Sequence, residues 1–385
     1  MERLWTKTFI QMMAGMLILF TGFYLLLPTF PLFIKELGGS DAHVGLAAGV
    51  FTLTAVVFRP FVGGLLDRYG RRPFMLWGMV FFAVSMYLYD WVGSIAVMLA
   101  LRVLHGASWA FSTTAVSTSV TDIIPTTRRG EGMGWFGMAM TLAMAIGPML
   151  GVWVLQNSSF HGLFLLATAL SVAALILVFA TKTPFTPKAG AKKMGIFEKA
   201  LWPVTVSLFF LAVAYGGITT FVPLFAASIQ INSGTFFLVY ALALTLARPF
   251  AGKLSDRLGE ANVIVPSLVL TVASLLVLSF ANGLFGVIVA ALLYGLGFGS
   301  AQPALQAANL RLAPPEKRGV ATASFMTAFD LGIGAGSIAL GWVSQYTGYG
   351  VLFTVCAVSV AISALLFLAF AKRKLAQRVE RTEAG

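Results

Sequence analysis

Apolar residues run through this chain in blocks of about twenty, separated by short breaks where Gly, Pro or charge collects. Twelve blocks cover approximately residues 8–34, 44–66, 73–92, 94–121, 132–156, 161–181, 200–229, 233–254, 262–281, 283–312, 319–346 and 348–371. About 20 apolar residues is the length an α-helix needs to cross a hydrocarbon layer. Lipid gives the backbone no hydrogen-bond partners, so a spanning segment is a helix or part of a closed barrel. The blocks are continuously apolar, without the alternation of barrel strands. The pattern therefore predicts an all-α polytopic membrane protein with twelve transmembrane helices. The first block is too long for a signal-peptide core, lacks a small-residue cleavage site and is followed by eleven more, so it is expected to be retained.

Composition excludes a soluble alternative. Of 385 residues, 58% are hydrophobic and 10% charged, against about 45–50% and 25% in soluble domains. The net charge of +12 raises the question of nucleic acid, and its distribution answers it. With the amino terminus inside, 22 of the 26 Lys and Arg residues fall in inner loops and tails, and only Lys35 lies outside. Arg59, Arg102 and Arg248 lie within spans. That is the positive-inside pattern: the basic excess is topological, no nucleic-acid partner is expected, and both termini are expected in the cytoplasm of a cell that carries the chain in its inner membrane. The single cysteine, Cys356, excludes an intrachain disulfide and a cysteine metal cluster.

The chain repeats itself. Residues 59–70 (RPFVGGLLDRYG) and 248–259 (RPFAGKLSDRLG) are identical at eight of twelve positions. The same shift of 189 aligns Gly106 with Gly295, Pro125 with Pro314, Arg129 with Arg318 and Gly147 with Gly336. Two six-helix halves are implied: residues 1–181 and 200–385, the latter ending in a short basic tail. A polar, Lys- and Pro-bearing joint over 182–199 connects them. Because six is even, the halves are parallel repeats about an axis along the membrane normal, a pseudo-twofold arrangement with a shared site near the midplane and rocking of one half against the other.

The loop Gly63-Gly64-Leu65-Leu66-Asp67-Arg68-Tyr69-Gly70-Arg71-Arg72 resembles the signature between helices 2 and 3 of the major facilitator superfamily. Arg102 in span 4 is placed like the arginine of a second signature. Gly134, Gly147, Pro148 and Gly151 in span 5 resemble the glycine-proline signature of its twelve-helix drug:proton antiporters, with Ala143 and Val152 where glycines are usual. The resemblance covers essentially the whole chain. It implies a secondary transporter working by rocking-switch alternating access, driven by a proton gradient and needing no cofactor. In that family the carboxylate corresponding to Asp67 holds the inner side closed against helix 11, here beginning near Gly319. Asp122 would then pair with Arg71 or Arg129. Asp256, Arg257 and Glu260 form a degraded second copy, expected to be weaker. Read without the resemblance, these are charges on a solvated loop.

Asp330 lies twelve residues beyond Arg318, about 18 Å along a helix and so near the midplane. An ionised carboxylate facing lipid there costs roughly 2.5–3.5 kcal/mol, so it is expected to face a cavity or a partner, where it can load and release a proton. A structural hydrogen bond or a polar substrate contact is the alternative. Arg102 and His105, three apart, share one face of span 4. The arginine can tune protonation nearby, contact an anionic cargo, or bond carbonyls of a neighbouring helix. His105 can titrate near neutrality or serve as packing. Arg59 and Arg248, before prolines near inner helix ends, read as snorkelling structural residues.

Tyr24, Trp109, Phe136, Met140, Tyr215, Tyr240, Phe298, Gln302, Gln306 and Phe329 are the candidate walls of a substrate cavity. Aromatic and Met side chains repack around amphipathic compounds, although each alone also fits packing or lipid contact. Gln302, Gln306 and Asn309 form a polar stripe that suits a hydrophilic cargo. Gly295–Gly299 and Gly332–Gly336 resemble nucleotide loops but lie inside apolar blocks without a preceding strand, and small residues at helix contacts explain them. No GxxxxGK[ST] is present, His43, His105 and His161 are scattered, and Asn157-Ser158-Ser159 reads as a coincidental sequon. The sequence thus points to a monomeric, membrane-embedded exporter of small organic or drug-like compounds, with neither metal nor enzymatic activity. A polar-metabolite exporter in the same fold (a sugar or metal-chelating cargo) and a non-transporting sensor are the alternatives.

Overall fold

The computed structural model describes residues 4–125, 128–181, 200–314 and 318–375; the joint at 182–199 and the side chains of Asp67, Arg129, Asp256 and Arg318 lie outside the described residues. Thirteen α-helices follow one another among the described residues. They are α1 (Lys7–Tyr24), α2 (Leu26–Glu36), α3 (Asp41–Tyr69), α4 (Arg71–Leu88), α5 (Ile95–Ile123), α6 (Arg129–Asn157) and α7 (Phe160–Phe179). After the joint come α8 (Trp202–Ser228), α9 (Ser233–Leu258), α10 (Glu260–Phe280), α11 (Leu284–Leu312), α12 (Arg318–Thr347) and α13 (Tyr349–Leu366). Twelve spans are long and apolar enough to cross a membrane, since α1 and α2 form one of them.

The first span is interrupted, where the sequence predicts one uninterrupted block. Pro28 has no N–H to offer the carbonyl of Tyr24, four residues back, and the helix resets at Leu25. Thr29 Oγ1 donates to the Leu25 carbonyl at 2.9 Å, tying the first turn of α2 to the residue where the helix resets. Helix starts follow ordinary capping chemistry. Thr6 accepts from Phe9 N at 3.2 Å, Ser94 from Val97 N at 3.4 Å, and Ser159 from Gly162 N at 3.4 Å. The sequon-like Asn157-Ser158-Ser159 is therefore a helix junction, with Asn157 Nδ2 donating to the Trp153 carbonyl.

The chain forms two compact units: Met1–Gly39 with Val50–Lys192, and Ser40–Gly49 with Lys193–Gly385. This differs from a division at the joint alone, because the first turns of α3 go with the second unit. The reason is small residues. A Cβ on Gly45 would collide with the Ser337 carbonyl, and one on Gly49 with Ile338, both in α12. In the first unit α1 packs on α6 and α7, and α4 on α5 and α7; in the second, α8 packs on α12 and α13, and α10 on α11 and α13.

The 189-residue repeat is visible in these packings. Gly106 of α5 lies against the Phe51 carbonyl of α3, and Gly295 of α11 lies against the Tyr240 carbonyl of α9, the equivalent pair. Gly297 meets Thr271 N and Ser267 O of α10, while Gly332 and Gly336 meet Phe209 and Val213 of α8. The glycine clusters that resemble nucleotide loops are close helix crossings. The turns that join α3 to α4 and α9 to α10 also match: Gly70 has φ +91° and Gly259 φ +83°, a conformation that side chains resist.

Candidate functional site

The first unit buries a cation. On α5, Arg102, His105 and Trp109 fall at i, i+3 and i+7, one stripe of the helix, and all three are buried. The Arg102 guanidinium stacks 3.5 Å over the Phe30 ring and lies 5.5 Å from the rings of Phe51 and Tyr89. Among the described residues no carboxylate reaches ion-pair distance of it. Aromatic faces supply the negative potential instead. Arg102 Nη1 lies 3.5 Å from His105 Nδ1, and the Tyr89 hydroxyl lies 3.0 Å from the same nitrogen. Arginine can only donate, so Nδ1 accepts, which seats His105 as a neutral imidazole beside a fixed positive charge. Trp109 continues the stripe, stacked on Phe23 at 4.3 Å and near Phe20 at 4.7 Å.

The second unit gathers a different set. Tyr215 of α8 stacks on Phe298 of α11 at 4.8 Å, and Phe329 of α12 lies 5.5 Å from Tyr215 and 6.4 Å from Phe298. Tyr294 is parallel to Phe298 at 5.5 Å and 5.6 Å from Tyr240. Asp330 follows Phe329 directly and is half-buried. Glycines 332 and 336 fix this stretch of α12 against α8. Gln302 and Gln306, half-buried, continue α11 beyond Phe298. Asn309 leaves the proposed polar stripe: it is fully buried, and its Nδ2 donates to the Ala321 carbonyl at 2.7 Å, joining α11 to α12.

Of the remaining wall candidates, Tyr24 is half-buried and its ring touches Phe20 and Phe23 at 5.9 and 5.4 Å. Phe136 is buried and Met140 half-buried on α6, one turn apart. On the same helix Gly147 and Gly151 lie against α1 and α2 where the first span breaks. A Cβ on Gly147 would stand 2.5 Å from that of Tyr24, and one on Gly151 would collide with the Leu25 carbonyl. Gly134 has open space around it, and Pro148 sits inside α6 between the two contact glycines. Of the four, Gly147 and Gly151 share one role, the seating of α6 on a broken helix.

At the signature loop, Arg71 Nε pairs with Asp122 Oδ2 at 2.7 Å and Arg71 Nη1 donates to the Leu66 carbonyl at 3.2 Å. Arg68 is exposed over the Tyr69 ring, and Arg72 donates to the Phe179 carbonyl at 3.2 Å. Gly63 has no neighbour that would exclude a side chain. Asp67, Arg129 and Asp256 fall among the side chains outside the description, and Arg257 is exposed. In the second unit Glu260 Oε1 lies 2.9 Å from Arg311 Nε, at the positions equivalent to Arg71 and Asp122; the glutamate is buried and the arginine exposed.

Sequence comparison agrees with this geometry. The sequence profile of the Major Facilitator Superfamily matches residues 12–236 and 227–385. The chain belongs to that superfamily. Among its relatives, the staphylopine export protein of Staphylococcus aureus is 26% identical over 361 residues, covering 89% of this chain and 90% of that protein. The quinolone resistance protein NorA of the same species is 24% identical over 307 residues, covering 75% and 77%. A bacterial homologue of the human lysosomal transporter Spinster has the same fold, with a TM-score of 0.79 and 15% identity over 96% of this chain and 97% of that one. The protein is accordingly a multi-pass membrane transporter and not an enzyme.

Three further polar residues make contacts that the sequence does not mark directly. Tyr89, which holds His105, sits in a single 3-10 turn (Tyr89–Trp91) after α4. Asp41, at the start of α3, is buried and receives hydrogen bonds from Ser344 Oγ and the Tyr349 hydroxyl. Arg311 was counted only as a topological charge. The shift of 189 identifies it once Asp122 is chosen; nothing comparable marks Tyr89 or Asp41.

Proposed function

We propose that this transporter is a proton-coupled exporter of small organic, amphipathic compounds, working by alternating access in the inner membrane with both termini in the cytoplasm. The observation that carries the reading is Asp330 on a membrane-length helix, directly after an aromatic wall of Tyr215, Phe298 and Phe329. A carboxylate at that depth is costly when ionised and has reason to take up a proton. The aromatic faces of Tyr215, Phe298 and Phe329 suit flat, lipophilic cargo. Arg102, held without a carboxylate partner among the described residues, is the fixed charge that would keep nearby groups from binding a second proton. His105 serves as packing and as the acceptor for Tyr89. Relatives named for quinolone resistance and staphylopine export support outward movement of small molecules.

Proteoliposomes test the reading. An imposed pH gradient is expected to drive accumulation of a fluorescent amphipathic dye, and Asp330→Asn to abolish that accumulation while sparing dye exchange without a gradient. Gradient-driven accumulation that survives in the variant would remove Asp330 from the coupling step. A second reading, export of a polar metabolite, draws on the half-buried amides of Gln302 and Gln306 on α11. It predicts gradient-driven flux of a small polar metabolite and none of the dye.

A further inference from the structure

The first unit carries an apolar groove apart from the residues discussed above as cavity walls. It lies between α4 and α7, has a volume of about 510 Å³, and is lined by Pro73, Leu76, Trp77, Val80, Ile176 and Phe179 among others. That volume is within the range of small-molecule sites, about 300–1,000 Å³. Trp77, Ile176 and Phe179 are each about 60% exposed, so this face looks outward from its own unit. From Pro73 to Val80 the α4 wall runs about 10 Å along the helix, away from the arginine-rich end of the unit. At the mouth stands Arg72. Its guanidinium lies 5.7 Å from the Phe179 ring and donates to the Phe179 carbonyl at 3.2 Å, so the cation is tethered to a groove residue while remaining exposed.

An open apolar groove with one tethered cation at its end has the polarity of a lipid: hydrocarbon along it, anion at the rim. We infer that the groove is a binding site for an anionic glycerophospholipid of the surrounding bilayer, one acyl chain lying along Leu76, Trp77 and Val80 and the phosphate facing Arg72. Arg68, four residues earlier, is occupied over Tyr69 at 5.1 Å and contributes only diffuse charge.

Trp77 reports directly on occupancy. The full chain is placed in bilayer nanodiscs of phosphatidylcholine containing increasing fractions of phosphatidylglycerol or phosphatidylcholine brominated along the acyl chain. The Trp77 signal is taken as the difference between the protein and its Trp77→Phe variant. The brominated anionic lipid is expected to quench Trp77 at about fivefold lower mole fraction than the zwitterionic one. Fivefold is what about 1 kcal/mol for one basic side chain near the surface amounts to at 1.4 kcal/mol per decade. Arg72→Gln is expected to erase the preference, Arg72→Lys to keep most of it, and Arg68→Gln to leave it in place. Equal quenching by the two lipids in the unmodified protein overturns the inference. So does loss of preference in Arg68→Gln as large as in Arg72→Gln, which would make it diffuse surface charge. A second copy of the chain seated on this face would leave Trp77 unquenched by either lipid and double the particle's protein mass, and that result also overturns it.

Discussion

Arg71 and Asp122 tie α4 to α5 in the first unit; 189 residues on, Glu260 and Arg311 tie α10 to α11 in the second, with the charges the other way round. The reversal matters because both pairs sit at helix ends. A helix carries partial positive charge at its amino terminus and negative charge at its carboxyl terminus, each worth about 0.3–1 kcal/mol to a nearby ion. Glu260 opens α10 and Arg311 is next to last in α11, so each is favoured by its own helix. Arg71 opens α4 and Asp122 is next to last in α5, so each is disfavoured. The helix ends thus reinforce the second-unit pair and oppose the first-unit pair. The family signature maps onto the opposed pair, and a contact held against its helix ends is the one expected to release more readily during a transport cycle.

Removing one partner from each pair is the harshest way to break this comparison. Asp122→Ala strands an Arg71 side chain that is only 11% exposed, at a helix end of its own sign. Breaking a fully buried pair costs about 3–5 kcal/mol; with Asp122 37% exposed and the Leu66 carbonyl still accepting from Arg71, a loss no larger than about 3 kcal/mol is expected here. Arg311→Ala strands Glu260, 7% exposed, but at the amino terminus of α10, where free N–H groups favour it. About 1 kcal/mol is expected. Unfolding midpoints in lipid-detergent mixtures give the order, and equal losses would show that helix ends play no part.

Exchanging charges sharpens the point with a smaller effect. Arg71→Glu together with Asp122→Arg builds the second unit's arrangement into the first. The pair is kept and both helix-end terms change sign, so stability should rise by on the order of 2 kcal/mol. Cargo flux is expected to fall on the reading that this contact opens during transport. A variant that is both stabler and equally fast would separate this pair from the transport cycle.

Much of this comparison was legible in the chain itself. The apolar blocks locate the spans, and the single shift of 189 pairs Gly70 with Gly259 and Gly106 with Gly295. Asp122 reads as a partner for Arg71 or Arg129; it pairs with Arg71, and the Arg129 side chain lies outside the described residues. What the sequence could not yield is rotation about the helix axes. In a soluble helix a polar face shows which side is buried, but lipid and protein interior are both apolar. On α5, buried Arg102 and 45%-exposed Val103 are neighbours in an unbroken hydrophobic context. Asn309 reads as one more amide in a polar stripe until its bond to Ala321 shows which way it points. Tyr89 was hidden for another reason: a three-residue turn at the end of α4 leaves no periodic trace, yet it places the hydroxyl that meets His105.

That hydroxyl gives the mildest test, by comparison with the other unit. His105 and Tyr294 occupy equivalent positions on α5 and α11, and both are fully buried. Tyr89 donates toward His105 Nδ1 at 3.0 Å, while the Tyr294 hydroxyl meets no hydrogen-bond partner among the described residues. Removing a satisfied hydroxyl and leaving its acceptor short of a donor costs about 1 kcal/mol; removing an unsatisfied one relieves a desolvation cost. Tyr89→Phe is therefore expected to destabilise by about 1 kcal/mol, and Tyr294→Phe to change stability by less than about 0.5 kcal/mol or to raise it. The two variants also divide by function. If Tyr294→Phe lowers dye flux while its unfolding midpoint stays put, that hydroxyl is reserved for cargo, and the second unit's aromatic cluster is a binding surface where the first unit's is a sealed core around Arg102. If flux is unchanged as well, both clusters are packing, and the difference between the units reduces to the charges at their helix ends.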